Sequence, residues 1–254
     1  MENAGLVGLS RQIALQRELD VVANNIANLN TTGYKADNVT FGEYMMPVAR
    51  ANSFRGNDRL VSFTQDRTTW LDQSQGPVEQ TGNPLDIAMS GNTFLTVQTP
   101  QGERYTRNGS LQINSQGQLV TSEGLQVIGQ NGPIVFQPGD REISISTDGA
   151  VSVREGANTT DTQRGKLKFA SFTDPRMLLK DGTSTFRPPN GMQVDTPAVV
   201  RINQGAIEKS NVRSVVEMTR MVEVTRTYTQ VAQLLQQHSD MRRTAIQQLA
   251  EVPA

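Results

Sequence analysis

Few side chains in this sequence are of the types that carry out chemistry. His238 is the single histidine among 254 residues, and cysteine is absent. The sequence therefore has almost none of the side chains that form the usual nucleophile–base pairs and zinc sites. His238 stands in the polar run Gln236-Gln237-His238-Ser239, without an acidic cluster at ligand spacing. This setting favours a surface or helix-seam histidine over a metal ligand or a general base.

The remaining chemical possibilities rest on carboxylates, glycines and one tryptophan. Acidic residues distant in sequence can still meet in space, so a carboxylate pair like that of β-fold glycosidases stays open. The glycine-rich spots lack the strand–glycine–helix order of a phosphate-binding loop. Trp70, the only tryptophan, is interpreted as a packing anchor rather than a ligand platform. We expect no enzyme, no cofactor and no metal; the alternative is a secreted, β-rich, carbohydrate-active protein.

Composition restricts the possible partners. The net charge is -1 and the pI is about 5.9, so the sequence lacks the excess of positive charge that is typical of nucleic-acid-binding proteins. It has no run of roughly 18 apolar residues, and we expect no membrane insertion. The start, MENAGLVGLSRQ, lacks a basic region followed by an apolar one, so we expect no cleaved signal peptide. This start fits a cytoplasmic protein and equally the substrate of a signal-independent export channel.

Helix formers without proline occupy the chain from Glu2 to about Asn30. Five apolar residues follow one another at spacings of four, three, four and three, which is a heptad stripe: Leu15, Leu19, Val22, Ile26 and Leu29. Leu6, Leu9 and Ile13 continue the stripe upstream with a slip in register. The run Asn30-Thr31-Thr32-Gly33 predicts the end of the helix.

A second, longer helix is predicted from Ser210 to about Leu249, with Ser210 and Asn211 as candidate N-caps. Neither glycine nor proline interrupts it before Pro253. We place six of its residues on one apolar face: Met218, Met221, Val224, Tyr228, Val231 and Leu235.

Between the helices the sequence predicts β-structure. Short alternating runs, such as Leu111–Ile113, Ile143–Ile145, Val151–Val153 and Leu167–Phe169, are separated by turn dipeptides such as Asn131-Gly132 and Asp148-Gly149. The predicted fold is α+β and multi-domain. Residues 1–35 and 210–254 form a coiled-coil-like helical domain, residues 84–205 an antiparallel β domain of sandwich or barrel-like kind, and residues 36–83 an extended linker with short strands.

The two terminal helices have unequal lengths, so one cannot cover the apolar seam of the other completely. We therefore expect their seams to pack between chains. Asn24, Asn25, Asn28 and Asn30 are poor helix formers close to the seam. Two interpretations stay open for them: a fraying, capped helix end, or amides that bind neighbouring chains and fix register.

Several motifs resemble a known family. The runs that carry the resemblance are Ala23-Asn24-Asn25-Ile26-Ala27-Asn28, Asn30-Thr31-Thr32-Gly33-Tyr34-Lys35, Gln80-Thr81-Gly82-Asn83-Pro84-Leu85-Asp86-Ile87-Ala88, Gly102-Glu103-Arg104-Tyr105-Thr106-Arg107-Asn108-Gly109 and Gly205-Ala206-Ile207-Glu208-Lys209-Ser210-Asn211-Val212. They are similar to the signatures of the bacterial flagellar basal-body rod and hook family, and they span nearly the whole chain. Within the family, Met1-Glu2-Asn3 and Arg17-Glu18-Leu19-Asp20 are most similar to proximal-rod members, with the distal rod as the alternative.

The resemblance implies a structural subunit of the periplasmic rod, exported unfolded through the flagellar type III apparatus without a cleaved signal. It implies as partners other proximal and distal rod proteins, further copies of the chain, and the export apparatus. The subunit interface expected from the seams and the motifs comprises Leu15, Leu19, Val22, Asn24, Asn25, Ile26, Asn28, Leu29, Met218, Met221, Val224, Tyr228, Val231 and Leu235. We expect that deleting residues 1–30 abolishes incorporation into basal bodies and motility.

Overall fold

The computed structural model of the chain describes residues 2–47, 60–155, 160–197 and 199–250. The chain divides into two compact units. The first, here called the helical unit, comprises Met1–Ala27, Asp37–Trp70 and Arg213–Ala254. The second, here called the β unit, comprises Asn28–Ala36 and Leu71–Val212. The prediction of a helix at each end with antiparallel β-structure between them is confirmed.

The helical unit contains two helices, α1 (Glu2–Ala27) and α2 (Ser214–Ala250), and a sheet of two strands, β1 (Asp37–Pro47) and β2 (Leu60–Leu71). At 1.5 Å per residue, α1 is about 39 Å long and α2 about 55 Å. Neither of these described helices is apolar over enough of its length to cross a membrane.

Each helix is shorter than predicted at the end that is nearer in sequence to the β unit. α1 ends at Ala27 because the chain turns at Asn28, whose carbonyl accepts a hydrogen bond from the Thr31 amide at 3.2 Å. α2 begins at Ser214, not at Ser210. The predicted cap Asn211 uses its side chain elsewhere, since its Oδ1 accepts a hydrogen bond from the amide of Ala36 at 2.8 Å.

The β unit is built from short strands, numbered on from β2: β3 (Val78–Gln80), β4 (Ile87–Met89), β5 (Phe94–Thr99), β6 (Gly102–Thr106), β7 (Leu111–Ile113), β8 (Leu119–Thr121), β9 (Gln126–Gly129), β10 (Gly132–Pro133), β11 (Asp140–Ile145), β12 (Ala150–Glu155), β13 (Asp161–Lys166), β14 (Phe169–Ala170), β15 (Leu179–Lys180), β16 (Thr185–Arg187), β17 (Ile202–Gln204) and β18 (Ala206–Glu208). A 3-10 helix covers Pro175–Met177. The predicted turn glycines Gly132 and Gly149 have positive φ, as tight hairpins require.

The largest sheet of the β unit has nine strands. Its main path runs β15-β16-β6-β5-β9-β8-β7, with β10 paired to β9 and β14 to β5. β11, β12 and β13 form a second sheet, while β17–β4 and β18–β3 are pairs. Every pair whose register is described is antiparallel. None of these described sheets closes on itself, so sandwich or barrel-like packing stays a prediction, as does coiled-coil geometry.

Two clusters form the core of the β unit. The larger is mainly aliphatic and includes Leu95, Val127 and Val151 at 0 % exposure. In the smaller one, Phe94 meets Phe172 edge to face, with ring centroids 5.4 Å apart. Burial of this apolar surface is what stabilises a sheet of such short strands.

Two predicted boundaries differ from the observed division. The predicted helical domain reaches residue 35, whereas residues 28–36 group with the β unit. The region 36–83, predicted as an extended linker with short strands, contains the long strands β1 and β2. Its side chains do not alternate between apolar and polar strictly enough to reveal strands of that length from sequence.

Candidate functional site

A cluster of buried charges joins three distant segments within the β unit. The Lys35 Nζ donates a hydrogen bond to Glu208 Oε1 at 2.7 Å. The Arg107 guanidinium lies 3.0 Å from Glu208 Oε2, and the amide of Gly76 donates to Oε1 at 3.0 Å. The three charged side chains are at most 3 % exposed. One carboxylate therefore holds two cations in the interior; we call Lys35, Arg107 and Glu208 the buried junction.

Burial opposes the charge on both cations of the junction. Removal from water lowers the pKa of Lys35, and the neighbouring Glu208 carboxylate works in the other direction. The pKa of Arg107 is lowered by burial in the same way, again opposed by Glu208. A buried charge is costly unless it is paired and hydrogen-bonded. Glu208 is consequently the group that makes both buried cations tolerable.

Two glycines allow the backbones around the junction to approach closely. Gly33 has a φ of +69°, and a Cβ there would lie 2.3 Å from the carbonyl carbon of Arg107. A Cβ on Gly76 would lie 2.0 Å from the carbonyl oxygen of Lys209. A side chain at either position would push the segments apart.

Tyr34 and Asn211 extend the contact between the same segments. Tyr34 is buried, and the Lys180 ammonium lies 3.9 Å from the centroid of its ring. The Asn211 amide group donates from Nδ2 to the carbonyl of Asp72 at 2.8 Å. The segment after α1 and the segment before α2 are thus bound side by side into the β unit. This arrangement is suited to holding chain segments rather than to reacting with a substrate.

Sequence reasoning did not assign a role to the residues of the junction. Lys35, Arg107 and Glu208 all lie inside the motifs that carried the resemblance. The available signal was that three separated segments each place a charged residue inside such a motif. Their pairing could not be deduced because spatial proximity is invisible in a single sequence.

In the helical unit, α1 and α2 run antiparallel. Gln12 Nε2 donates a hydrogen bond to Tyr228 Oη at 3.0 Å, and Arg220 Nε donates to Glu18 Oε1 at 2.9 Å. Residue numbers along one helix thus rise as those on its partner fall. The helices approach closely at Gly8, where a Cβ would lie 2.6 Å from Leu235 Cδ2.

Asn25 makes hydrogen bonds inside the chain. Its Oδ1 accepts from the amide of Asp37 at 3.0 Å, its Nδ2 donates to the carbonyl of Asp37 at 2.9 Å, and Nδ2 lies 3.5 Å from Glu217 Oε2. The side chain therefore ties α1 to the start of β1. Both of its polar atoms serve the fold of its own helical unit, and a contact of Asn25 with a neighbouring chain stays a prediction.

The other predicted interface residues fall into three groups. Leu15, Val22 and Val224 are buried in the helical unit. A half-buried group comprises Leu19, Ile26, Asn28, Leu29, Tyr228, Val231 and Leu235. An exposed group comprises Asn24, Met218 and Met221.

Helix geometry explains why Met218 and Met221 separate from Val224. A step of three residues turns the helix by about 300°, so two such steps rotate a side chain by about 120° away from the seam. Glu217, which the sequence analysis did not include in the interface, is buried in their place.

Two rows of exposed apolar side chains remain on the described helices. Leu6, Leu9 and Ile13, here called the N-row, were predicted to continue the seam of α1, but they are 50 %, 49 % and 61 % exposed. The step from Ile13 to Leu15 turns the helix by about 200°, which puts the N-row on the opposite face. Val215, Met218 and Val222, here called the C-row, are 75 %, 52 % and 60 % exposed.

The residues first considered for chemistry belong to the helical unit, whereas the junction belongs to the β unit. His238 is half-buried on α2. Trp70 is 36 % exposed, and its Nε1 donates a hydrogen bond to Thr40 Oγ1 at 3.2 Å. In the described part of the chain, no group of three or more His, Cys, Asp or Glu side chains is arranged to hold a metal ion.

Comparison with known proteins connects this geometry to a family. Residues 6–35 match the family described as Flagella basal body rod protein. Residues 88–153 match the Flagellar hook protein FlgE/F/G D1 domain, and residues 203–248 match the Flagellar basal body rod FlgEFG protein C-terminal family. The three matched stretches contain Lys35, Arg107 and Glu208 respectively, so the buried junction is where the three family regions meet.

Whole-length relatives agree with these matches. The chain is 36 % identical over 255 residues to the flagellar basal-body rod protein FlgF of Caulobacter vibrioides, covering 99 % of this chain and 100 % of the relative. It is 32 % identical to FlgF of Mesorhizobium japonicum, covering 98 % of each. FlgG of Agrobacterium fabrum is 33 % identical over 232 residues, covering 85 % of this chain and 87 % of the relative. The chain belongs to the flagellar basal-body rod protein family and is FlgF-like within it.

Proposed function

We propose that this chain is a structural subunit of the proximal rod of the bacterial flagellar basal body and contributes to motility. The observation that carries the proposal is the whole-length similarity to rod proteins named FlgF. The exposed apolar rows on both terminal helices support it, because solvent-exposed apolar stripes mark surfaces that pack against other molecules. These relatives do not favour the carbohydrate-active alternative.

The partners in this proposal are further copies of the chain and the other rod proteins, proximal and distal. The chain reaches the periplasmic rod through the flagellar export apparatus and keeps its N-terminus. No enzymatic activity is part of the function. Intact mass measurement of the chain from purified basal bodies tests the route: a mass that includes α1 supports it, and a mass lacking the first 20 to 30 residues, roughly a signal peptide, contradicts it.

The proposed subunit interface lies on the terminal helices. Met218 and Met221 present exposed side chains to neighbours directly. Leu15, Val22 and Val224 act indirectly, since their burial keeps α1 and α2 paired. Asn24, Asn25, Asn28 and Leu29 lie near the end of α1, and the proposal keeps them as interface residues.

Deletion of residues 2–27 from the full chain tests the proposal in cells that lack their own copy. It removes α1 and leaves every residue of the β unit. Cells with the intact chain are expected to swim and to contain it in purified basal bodies. Cells with the deletion are expected to do neither. Normal swimming with the deletion, or basal bodies without the intact chain, would overturn the proposal.

A further inference from the structure

Three asparagine–glycine pairs occur in the sequence, at Asn108-Gly109, Asn131-Gly132 and Asn190-Gly191. An asparagine side chain that precedes glycine can cyclise onto the glycine nitrogen, because glycine has no Cβ to hinder the approach. The reaction needs a side-chain amide that is free to rotate and a glycine amide that is free of hydrogen bonds. The structure separates the three pairs by these two requirements.

The first pair is held rigidly inside the β unit. Asn108 is 3 % exposed, its Nδ2 donates a hydrogen bond to Ser122 Oγ at 3.0 Å, and its Oδ1 accepts one from the Ser110 amide at 3.0 Å. A Cβ on Gly109 would lie 1.7 Å from the carbonyl oxygen of Ile87, so the backbone there is packed tightly against β4. Rotation of the Asn108 amide onto the next nitrogen would break both of its hydrogen bonds in a place closed to water.

The second pair exposes its asparagine but holds its glycine in a hairpin. Asn131 is exposed. Gly132 pairs with Gly129 across the two-residue turn that joins β9 to β10. In a turn of this length the fourth residue typically donates its amide hydrogen to the carbonyl of the first. This pairing restrains the Gly132 nitrogen and makes it a poor nucleophile towards the side chain that precedes it.

The third pair occupies the centre of a turn. The Met192 amide donates a hydrogen bond to the Pro189 carbonyl at 3.1 Å, which makes Asn190 and Gly191 the two central residues of a four-residue turn. Gly191 has a φ of +86°, as the third residue of a type II turn requires. The peptide group between the two central residues takes no part in the hydrogen bond that closes such a turn. Its nitrogen, which belongs to Gly191, is therefore left available.

Both reacting groups of this turn are open to water. Asn190 and Gly191 are exposed, and a Cβ on Gly191 would meet no atom within 4 Å. Among the described residues, neither the side-chain amide of Asn190 nor the Gly191 nitrogen has a hydrogen-bond partner. The side chain can consequently rotate onto the nitrogen without the loss of a hydrogen bond to the described part of the chain.

We propose that Asn190 is a site of spontaneous deamidation through a cyclic imide. The Gly191 nitrogen gives its proton to water and attacks Asn190 Cγ. The new N–Cγ bond forms, the Cγ–Nδ2 bond breaks, and Nδ2 takes up a proton and leaves as ammonia. Water then adds to one of the imide carbonyls: cleavage at Cγ gives aspartate, and cleavage at the backbone carbonyl carbon of the same residue gives isoaspartate. The net reaction consumes water and releases ammonia, and nothing is oxidised or reduced.

The modification changes both the charge and the backbone of the turn. Either product adds a negative charge to this exposed turn, and isoaspartate also inserts an extra carbon into the backbone between Pro189 and Met192. Met192 is half-buried and packs against the cluster that contains Phe94 and Phe172. The isoaspartate form loosens this contact, since a close-packed core tolerates little displacement.

Ageing of the purified full chain tests the inference. The chain is held in neutral buffer, sampled over time and digested with a protease that works in acid, because acid keeps the glycine nitrogen protonated and stops the reaction during handling. Mass spectrometry of the peptides detects the replacement of NH2 by OH, and fragmentation distinguishes aspartate from isoaspartate. We expect the peptide that contains Asn190 to convert several-fold faster than those that contain Asn108 and Asn131. The rate should rise with pH because the deprotonated Gly191 nitrogen is the nucleophile.

Two controls separate the effect of the structure from that of the sequence. In urea the three pairs should convert at similar rates, because each is then an unfolded asparagine followed by glycine. Asn190→Gln should abolish the fast conversion in the folded chain, because glutamine has to close a larger ring. This exposed position tolerates the change with little effect on folding.

Conversion of Asn108 or Asn131 as fast as that of Asn190 in the folded chain would overturn the inference. An intact Asn190 in a folded chain whose three pairs convert in urea would overturn it as well, and so would a rate difference that persists unchanged in urea. None of these outcomes bears on the proposed function, because the measurement requires no basal body.

Discussion

Glu208 is the residue on which the buried junction depends most. It pairs with Lys35 and with Arg107, whereas each of those cations has Glu208 as its only anionic partner within salt-bridge distance among the described residues. Removing the carboxylate leaves two cations buried together. Removing Lys35 leaves a neutral pair of Arg107 and Glu208. Removing the Glu208 carboxylate should therefore cost more stability than removing the Lys35 ammonium.

We predict that Glu208→Gln lowers the free energy of unfolding of the β unit by about 3–5 kcal/mol, the cost of uncompensated buried charge. Lys35→Met is expected to cost about 1–3 kcal/mol, the penalty of unsatisfied hydrogen-bonding groups. The matched surface control is Lys168→Met, which removes a 2.7 Å pair with Glu103 that is 41 % exposed on both sides; it should cost at most about 1 kcal/mol. Urea unfolding measures all three, and a larger loss for Lys35→Met than for Glu208→Gln would contradict the argument.

Asp140 gives the β unit a defined sensitivity to acid. The Arg164 guanidinium donates hydrogen bonds to both carboxylate oxygens, at 2.9 and 2.6 Å. These bonds are the main cause that lowers the pKa of Asp140 below its ordinary value of 3.8. A carboxylate with a depressed pKa contributes stability that is complete above its unfolded-state pKa and is lost as pH falls through its folded-state pKa.

We predict that Asp140→Asn destabilises the chain at neutral pH and flattens its acid response. The difference in unfolding free energy between the natural chain and the variant should stay constant above about pH 5. It should shrink as pH falls below 3.8, because the natural carboxyl then takes up a proton on unfolding and loses its bond to Arg164. Urea titrations at several pH values measure this difference. A difference that grows with acid would show that the sign is wrong.

For single residues, the sequence predicted local backbone conformation better than it predicted hydrogen-bond partners. Gly33 closes the run that predicted the end of α1, and its φ of +69° is in the left-handed region typical of such glycines. Asn211 was expected to cap α2 but binds Ala36 and Asp72, which are more than a hundred residues away. Local geometry is encoded by residue type, whereas distant hydrogen-bond partners depend on how the chain closes on itself.

The helices also show which features could be predicted from the sequence and which could not. Periodicity predicted both helices, whereas Leu15, Val22 and Val224, whose seam was expected to pack between chains, are buried within the helical unit of a single chain. It misplaced the N-row because the step of two residues from Ile13 to Leu15 turns the helix by about 200°. It misplaced Met218 because two steps of three residues rotate a side chain by about 120° away from the seam. Which apolar side chains are exposed is consequently known only from the structure, because packing sets the rotation of each helix about its own axis.

Gly8 sets how closely the helices approach. A larger side chain there meets Leu235, whereas a Cβ on Gly5 meets no atom within 4 Å. We predict that Gly8→Leu destabilises the helix pair by up to about 2 kcal/mol, because overpacking costs about 1–3 kcal/mol and the better helix propensity of leucine offsets up to about 1 kcal/mol of it. Gly5→Leu, the matched control, should be neutral or stabilising by up to about 1 kcal/mol because leucine is the better helix former.

Thermal unfolding followed by circular dichroism at 222 nm separates the two glycine variants, since α1 and α2 supply most of the helical signal of the described chain. The expected order of midpoint temperature is Gly5→Leu, then the natural chain, then Gly8→Leu. Equal midpoints for the two variants would mean that Leu235 yields without cost and that the close approach is not needed.

In the whole molecule, the β unit is completed by chain segments that are far apart in sequence. Tyr34 and Lys35 come from before β1, and Glu208 comes from just before α2. Closing such long loops costs entropy that the junction must offset. Single-sequence reasoning predicted antiparallel strands from alternation and turns, but could not assign residues 28–36 to the β unit, because that segment is short and has no periodic pattern.

A pair of shortened chains tests this closure. The chain 28–212 keeps every residue of the β unit, whereas the chain 37–212 lacks Gly33, Tyr34 and Lys35. Loss of the fully buried Tyr34 ring alone should cost about 3–5 kcal/mol, as for other large core side chains. Domains of this kind have stabilities of about 5–15 kcal/mol, so 37–212 should be close to unfolding or unfolded.

Amide hydrogen exchange of the two shortened chains measures the effect strand by strand. We expect slow exchange in β5 and β9 of the chain 28–212 and fast exchange at the same strands of 37–212. Adding a peptide of residues 28–36 to 37–212 should restore part of the protection, and the same peptide with Lys35→Met should restore less. If 37–212 were as protected as 28–212, the segment after α1 would be a passive connection, and the meeting of the three family regions at Glu208 would have no energetic role.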